Sequence, residues 1–230
     1  MIDRICCLTN RFHTIFALHH KIFKMLNLLK HPLLTHKLTI LRRSETTTRE
    51  FRETLEEISG LMAYEITSDL PMREVTVNTP LAVCTTKELA VEIVLVPVLR
   101  AGLGMVDGIT RLIPTSRVGH IGIYRDHKTL KPMTYFTKFP DNLPDAEVLV
   151  LDPMLATGGS SGAAIQVLKD NGARTIKLVC VIGAPEGVKK IEHDHPEVQI
   201  YLAGLDEKLN SNGYIVPGLG DAGDRLFGTK

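Results

Sequence analysis

The sequence predicts an open α/β sheet, mostly parallel and flanked by helices, and three observations carry that expectation. Apolar runs at 93–99, 118–124, 148–151, 176–182 and 198–202 read as strands; runs without polar alternation suit strands covered on both faces, as in a parallel sheet. Helical patterns lie between them: Met105, Ile109 and Leu112; then Ala164, Ile165, Leu168 and Lys169; then 186–192. Such alternation argues for strand–helix–strand units. Finally, 148–162 reads VLVLDPMLATGGSSG, an apolar strand ending in an acid, a glycine turn and the start of a helix.

Taken in order, residues 1–24 are basic and apolar, with Asp3 the only acid. They are poorer in Arg and Ser than a transit peptide and lack the small-residue cleavage site of a secretory signal. The expectation is an extension outside the core, with the functional domain opening at Met25. A helix is expected from Ser44: Thr47 and Glu50 form a capping box, and Phe51, Leu55, Ile58, Leu61, Met62 and Ile66 recur on one face. Asn171-Gly172 closes the helix that follows the glycine turn. Between 125 and 140 the pattern departs from the alternation. Thr134-Tyr135-Phe136-Thr137, after Leu130-Lys131-Pro132, is expected to form a β-arm, either a surface hairpin or an anchor on a neighbouring subunit.

Composition limits the classes open to the chain. With 230 residues, 44% hydrophobic, 23% charged and a formal net charge of +1, it can bury one sizeable core and has no global drive toward nucleic acid or an anionic membrane. No apolar run approaches the roughly 20 residues of a bilayer span. Cys6, Cys7, Cys84 and Cys180 lack zinc or CxxC spacing. His19, His20, His193 and His195 lack a metal pattern and are expected to face solvent. These features suit a cytoplasmic protein with a local anion site.

In sheets of this kind ligands sit beyond the carboxyl ends of the strands. The residues expected there are Arg100-Ala101-Gly102, Tyr124-Arg125-Asp126, Asp152 with its glycine loop, and Ala184-Pro185-Glu186-Gly187. Thr157, Gly158, Gly159, Ser160 and Ser161 would offer backbone N–H groups and hydroxyls at a helix N-terminus, a phosphate cradle. Arg100 and Arg125 suit a polyphosphate, because guanidinium groups fork onto phosphate oxygens. Asp152 could hold ribose hydroxyls or hydrated Mg2+. The tail, 213–230, is too rich in glycine for a helix or ordinary strand. Yet Tyr214, Ile215, Val216, Leu219, Leu226 and Phe227 are too apolar to be left in water. Such a backbone can approach a flat ligand closely, with Asp221 and Asp224 as candidates for charge or proton work.

Together, Leu99-Arg100-Ala101-Gly102-Leu103-Gly104, the segment from Asp152 to Ser160, Ala184-Pro185-Glu186-Gly187 and Gly218-Leu219-Gly220-Asp221-Ala222-Gly223-Asp224 resemble the uracil phosphoribosyltransferase family. The likeness spans roughly residues 25–230, including the His31-Pro32-Leu33 opening and the Phe227-Gly228-Thr229-Lys230 close. It implies the type I phosphoribosyltransferase fold, one domain over 25–230, with a small hood built from about 204–230. It also implies transfer of the 5-phosphoribosyl group from 5-phosphoribosyl 1-diphosphate (PRPP) to N1 of uracil, giving UMP and diphosphate, with Mg2+ carried by the diphosphate. The catalytic set implied is Arg100, Arg125 and Asp221. PRPP would be held by Arg100, Arg125 and Asp221 together with Asp152, Pro153, Met154, Leu155, Ala156, Thr157, Gly158, Gly159 and Ser160. Uracil would be framed by Ile215, Gly220, Asp221 and Ala222. Family members are homo-oligomers, commonly dimers, and some respond to GTP. One departure from the wider fold family is Pro153, where a second acid usually follows the first; the same change is typical of the uracil enzymes and leaves Asp152 alone there.

Rival readings are weaker. Gly102-Leu103-Gly104 followed by Gly108 is one residue off the dinucleotide-binding fingerprint, and it leaves both glycine loops unexplained. No Gly-Lys-Ser/Thr follows the cradle, as a P-loop requires. A non-catalytic nucleotide sensor on the same fold would need a basic face or lost catalytic residues.

Overall fold

A twisted sheet with helices on both faces organises the chain, as seen in a computed structural model that describes residues 25–125 and 132–229. In chain order the elements are β1 (Leu26–Leu28), α1 (Pro32–Arg42), α2 (Thr48–Ile66), β2 (Met72–Asn78), β3 (Val83–Leu89) and β4 (Ile93–Leu99). A 3-10 turn, Ala101–Met105, runs into α3 (Val106–Thr110). Then come β5 (Arg117–Val118), β6 (His120–Arg125), β7 (Pro132–Lys138), β8 (Glu147–Leu151), β9 (Met154–Leu155), α4 (Gly159–Asp170) and β10 (Thr175–Gly183). The chain closes with α5 (Pro185–Asp194), β11 (Gln199–Leu205), β12 (Lys208–Leu209), β13 (Ile215–Val216) and α6 (Ala222–Phe227).

The sheet order is β1-β11-β10-β8-β4-β6-β7. All neighbours are parallel except β6 and β7, which form an antiparallel edge. Side chains of successive residues point to opposite faces, so each central strand serves two cores. On β4 and β8, Leu95, Leu149 and Leu151 pack toward α1, α2 and α3. Val94, Val96, Val148 and Val150 pack toward α4 and α5. The continuous apolar runs in the sequence follow from this double burial.

The capping box that starts α2 is present: Thr47 Oγ1 accepts from Glu50 N–H at 3.2 Å, and Glu50 Oε2 accepts from Thr47 N–H at 3.0 Å. At the end of α4, Asn171 is the cap and Gly172 takes φ +92°. The run expected at 118–124 is broken at Gly119, whose N–H donates to Leu95 O, giving β5 and β6 as separate pairings with β4. Residues 132–138 of the expected arm pair with β6 as the sheet's antiparallel edge, leaving Tyr135 and Phe136 exposed; 126–131 lie outside the described residues, as do 1–24. The hairpin that stands apart is β2–β3, which pairs with itself and is exposed along almost its whole length.

Two expectations fail: the tail, read as too rich in glycine for a helix, forms α6 over Ala222–Phe227, capped by the Asp221 side chain and closed by Gly228 at φ +66°, and the reading of the histidines fails at one position. His195 does not face solvent: it is 4% exposed, with Nε2 3.1 Å from Gly162 O and Nδ1 2.8 Å from Lys169 Nζ. A lysine ammonium can only donate, so Nδ1 accepts and Nε2 carries the proton given to Gly162 O. The ring thereby ties the end of α5 to both the first turn of α4, at Gly162, and its last turn, at Lys169. His193 does remain exposed, and His19 and His20 lie outside the described residues. No described helix is long and apolar enough to cross a membrane.

Candidate active site

Chain order along the sheet reverses at β4, which has β6 on one side and β8, β10 and β11 on the other. A crevice is expected beyond the carboxyl ends of strands at such a switch point. A cavity of about 190 Å³ opens there, and Arg100, Asp152, Ser160, Asp221 and Gly223 are among its walls. Larger hollows exist, one of about 820 Å³ between α2 and α3 and one of about 350 Å³ at the amino ends of β8, β10 and β11. Convergence of polar groups, rather than size, marks the small one as the candidate site.

The cradle is built from the end of β8 onward. Asp152 is half-buried; Ser161 Oγ donates to its Oδ2 at 3.0 Å and Met154 N–H to its Oδ1 at 3.4 Å. Burial raises this carboxyl to about 6, against the lowering effect of those two hydrogen bonds. Pro153 is buried and its carbonyl accepts from Val181 and Ile182 N–H groups. Met154 and Leu155 pair with β10, and the Leu155 side chain lies in the core. These three residues form the stem of the loop, while Thr157 and Ser160 are exposed at its tip. Gly158, at φ +74°, caps α4 without a side chain, so first-turn N–H groups are left for an anion. Gly159 N–H donates to Thr157 Oγ1 at 3.4 Å.

Ala184-Pro185-Glu186-Gly187 supports both loops. Ala184 N–H donates to Leu155 O. A Cβ on Gly187 would lie 2.8 Å from Leu155 O and nearer still to Ala156 O, so glycine lets α5 sit directly under the cradle. Glu186 Oε1 accepts from Leu209 N–H at 3.1 Å, tying β12 to α5. That bond holds the Glu186 carboxyl below the usual range.

The tail folds over this end of the sheet. β12 and β13 form a short antiparallel pair, and Gly213, between them, approaches Thr157: a Cβ there would be 3.7 Å from Thr157 Cγ2. Asp221 caps α6, accepting from Asp224 N–H at 2.9 Å. Arg100 Nη2 lies 3.3 Å from Asp224 Oδ1, with the guanidinium 5.9 Å from the Phe227 ring centre. Arg100 and Asp221 both approach Gly223, where a Cβ would lie 3.3 Å from Asp221 Oδ1 and 3.7 Å from Arg100 Nη2. Gly220 and Asp221 are exposed to the crevice end of the loop, whereas Ile215 and Ala222 have their side chains in the core. Arg125 ends β6 on the same sheet edge as Arg100; its side chain lies outside the described residues, as does Asp126.

The glycines that imitate a dinucleotide fingerprint have packing work instead. A Cβ on Gly102 would strike Leu151 O, and one on Gly108 would strike Glu56 O on α2. Two roles were not read from the sequence: Ser161, expected only as a cradle hydroxyl, bonds Asp152, and Gly223 leaves room for both Arg100 and Asp221. Ser161 was visible as the last hydroxyl of the cradle; Gly223 had no signal beyond belonging to the glycine-rich tail.

A mostly parallel sheet with its switch-point crevice, a glycine loop after β8 and a C-terminal segment folded over that end give the chain the type I phosphoribosyltransferase fold. An adenine phosphoribosyltransferase from Trypanosoma brucei, solved with AMP, pyrophosphate and ribose-5-phosphate, shares the fold at TM-score 0.56 and 12% identity, covering 84% of this chain and 89% of that one. The family model for uracil phosphoribosyltransferase matches residues 28–229. Uracil phosphoribosyltransferases of Halalkalibacterium halodurans and Bacillus cereus are 60% and 57% identical over 201 residues, which is 87% of this chain and 96% of each relative. A solved protein of Aquifex aeolicus is 40% identical with TM-score 0.84, covering 88% of this chain and 97% of its own. The chain belongs to the uracil phosphoribosyltransferase family.

Proposed function

We propose that the crevice holds PRPP and uracil together, and that the protein transfers the 5-phosphoribosyl group to N1 of uracil, giving UMP and diphosphate. The observation that carries this reading is the convergence of Arg100, Asp152, Ser160 and Asp221 on one hollow, from three distant parts of the sequence. N–H groups and hydroxyls from Ala156 to Ser160 take the 5-phosphate. Asp152 accepts from ribose hydroxyls, Arg100 takes the diphosphate, and the family resemblance assigns Arg125 the same role.

As the C1–O bond to diphosphate lengthens, negative charge gathers on the leaving group and positive charge on the ribose. A fixed donor such as the Arg100 guanidinium then stabilises the transition state by about 3 kcal/mol. Asp224 and the Phe227 ring hold that guanidinium at the mouth of the crevice, which limits the reorganisation needed during reaction. The hood places the uracil edge against C1, a gain in orientation. Gly220, Asp221 and Ala222 meet the base through fixed backbone groups. Cytosine reverses the donor and acceptor at two positions and would leave buried groups unpaired, at about 1–3 kcal/mol each.

Mg2+ keeps much of its water and typically takes one or two carboxylates plus phosphate oxygens. Asp221 and Asp152 on the crevice walls fit an ion arriving with the diphosphate, and no cluster of three or more ligand-type side chains occurs among the described residues. Bound there, Mg2+ supplies Lewis-acid stabilisation of the departing diphosphate. We assign self-association to the β2–β3 hairpin, whose Leu81 and Val83 are 97% and 67% exposed and which pairs with no other strand among the described residues. Incubation of the protein with uracil, PRPP and Mg2+ should yield UMP and diphosphate in equal amounts; no UMP from folded protein would contradict the reading.

A further inference from the structure

The uracil loop is held by groups far from the crevice. Asp206 follows β11 and is 8% exposed. Its Oδ2 accepts from Gly218 N–H at 2.8 Å and from Arg42 Nη1 at 2.8 Å, while Arg42 Nη2 bonds Oδ1. The same Nη1 donates to Gly218 O at 2.8 Å. Both backbone polar groups of Gly218 are therefore engaged by one ion pair whose members lie 164 residues apart in sequence. The next carbonyl, Leu219 O, accepts from Arg225 Nη1 at 2.7 Å; Arg225 also donates to Arg43 O at 2.6 Å and stacks 4.5 Å from the Phe51 ring centre.

Gly218 has little freedom to move in response. It takes φ +69°, and a side chain there would strike Ile215 O. Asp206 also reaches the other loop through its backbone. Its N–H donates to Gly183 O at 2.8 Å, and Gly183 is paired with Leu155 at the stem of the phosphate cradle. One residue thus fixes the peptide that enters Leu219-Gly220-Asp221 relative to the loop that holds the phosphate.

We propose that Asp206, with Arg42 forked onto it, is a positioning residue for base recognition: it sets where the backbone groups of Gly220 to Ala222 stand and hence the selectivity for uracil. This rests on the assignment of those residues to the base. Neither Asp206 nor Arg42 is among the residues lining the crevice. An enclosed carboxylate that accepts a backbone N–H and a bidentate guanidinium is costly to desolvate and strongly directional. Such a group is suited to holding a peptide in one orientation.

The test compares Asp206→Ala, Asp206→Asn and Arg42→Lys with the wild type, reading KM for uracil, KM for PRPP, kcat, and the rate with cytosine in place of uracil. Asp206→Ala is expected to raise KM for uracil about tenfold or more, the scale of one lost charge-assisted hydrogen bond. KM for PRPP should stay within about threefold, and the cytosine-to-uracil rate ratio should rise, because a loosened loop discriminates less. Asp206→Asn keeps an oxygen for Gly218 N–H but loses the fork, and should fall between. Arg42→Lys has one point of attachment where the fork had two and should also raise KM for uracil. Should Asp206→Ala fail to fold, the two milder variants carry the test. Folded variants with unchanged uracil KM and selectivity would overturn the proposal, as would equal losses for both substrates, which a purely structural role gives. A wild type that makes no UMP would instead overturn the assignment of the site.

Discussion

Gly187→Ala probes the contact between α5 and the phosphate cradle. The added Cβ would stand 2.8 Å from Leu155 O and 3.1 Å from Ala156 C, with Ala156 O closer than either, whereas ordinary contacts begin near 3.4 Å. All three neighbours are backbone, so no side chain can rotate away. To clear Ala156 O the cradle or α5 must retreat by about 1 Å, and such overpacking costs about 1–3 kcal/mol of stability. A misplacement on the order of 1 Å can lower a rate about 100-fold. We therefore expect kcat/KM for PRPP to fall about 10- to 100-fold in steady-state assays run well below the melting temperature. Gly162→Ala is the control on the neighbouring helix, because its Cβ would meet Ile191 Cδ1 at 3.5 Å and His195 Nε2 at 3.6 Å. It should leave kinetics unchanged and stabilise α4 by up to about 1 kcal/mol. Wild-type kcat/KM in Gly187→Ala would refute the argument that glycine there exists to seat the cradle.

Asp221→Ala should abolish most turnover and, through its lost cap on Asp224 N–H, lower stability by about 1 kcal/mol, whereas Asp221→Asn should keep the cap and still lose turnover; near-normal turnover in either variant counts against the assignment. Asp152 titrates at about 6 when folded. Unfolded, such a group ionises near about 4, so across that window the folded chain binds the extra proton and this group's contribution to stability falls as pH rises. Activity runs the other way: kcat/KM for PRPP should drop about tenfold per pH unit below about 6, and Asp152→Asn should flatten that limb. A wild-type profile flat from pH 5 to about 7 would remove Asp152 from donor binding. Lys177 is buried between Asp69 Oδ1 at 2.5 Å, Ile66 O at 2.9 Å and Glu147 Oε1 at 3.4 Å. Lys177→Met strands the Glu147 carboxyl and should cost about 3–5 kcal/mol in urea unfolding, and adding Glu147→Leu should recover much of it; no loss would mean the pair is already open to water.

The sheet was legible where burial on both faces wrote continuous apolar runs, as at 93–99 and 148–151. It was illegible in β1, three residues long at an edge, and in α1, where exposed Leu33 and half-buried Ile40 blur the stripe of Leu34, Leu38 and Leu41. The β2–β3 hairpin escaped because its strands face solvent and carry no hydrophobic periodicity tied to the core. At the site, the cradle was legible because phosphate binding uses local backbone, so its residues stand together in the chain. His195 was misread because burial by two distant partners, Lys169 and Gly162, leaves no local pattern. Asp206 and Arg42 are invisible for the same reason. Each is an ordinary charged residue until the fold brings α1, β11 and the tail together.

Whether the cradle and the C-terminal loop serve one nucleotide is tested most directly by a crystal structure of the protein with UMP. The phosphate should lie within hydrogen-bond reach of backbone N–H groups between Ala156 and Ser160, with the pyrimidine edge against Gly220 to Ala222. UMP seated in another hollow, or with its base turned away from the C-terminal loop, would contradict a shared site.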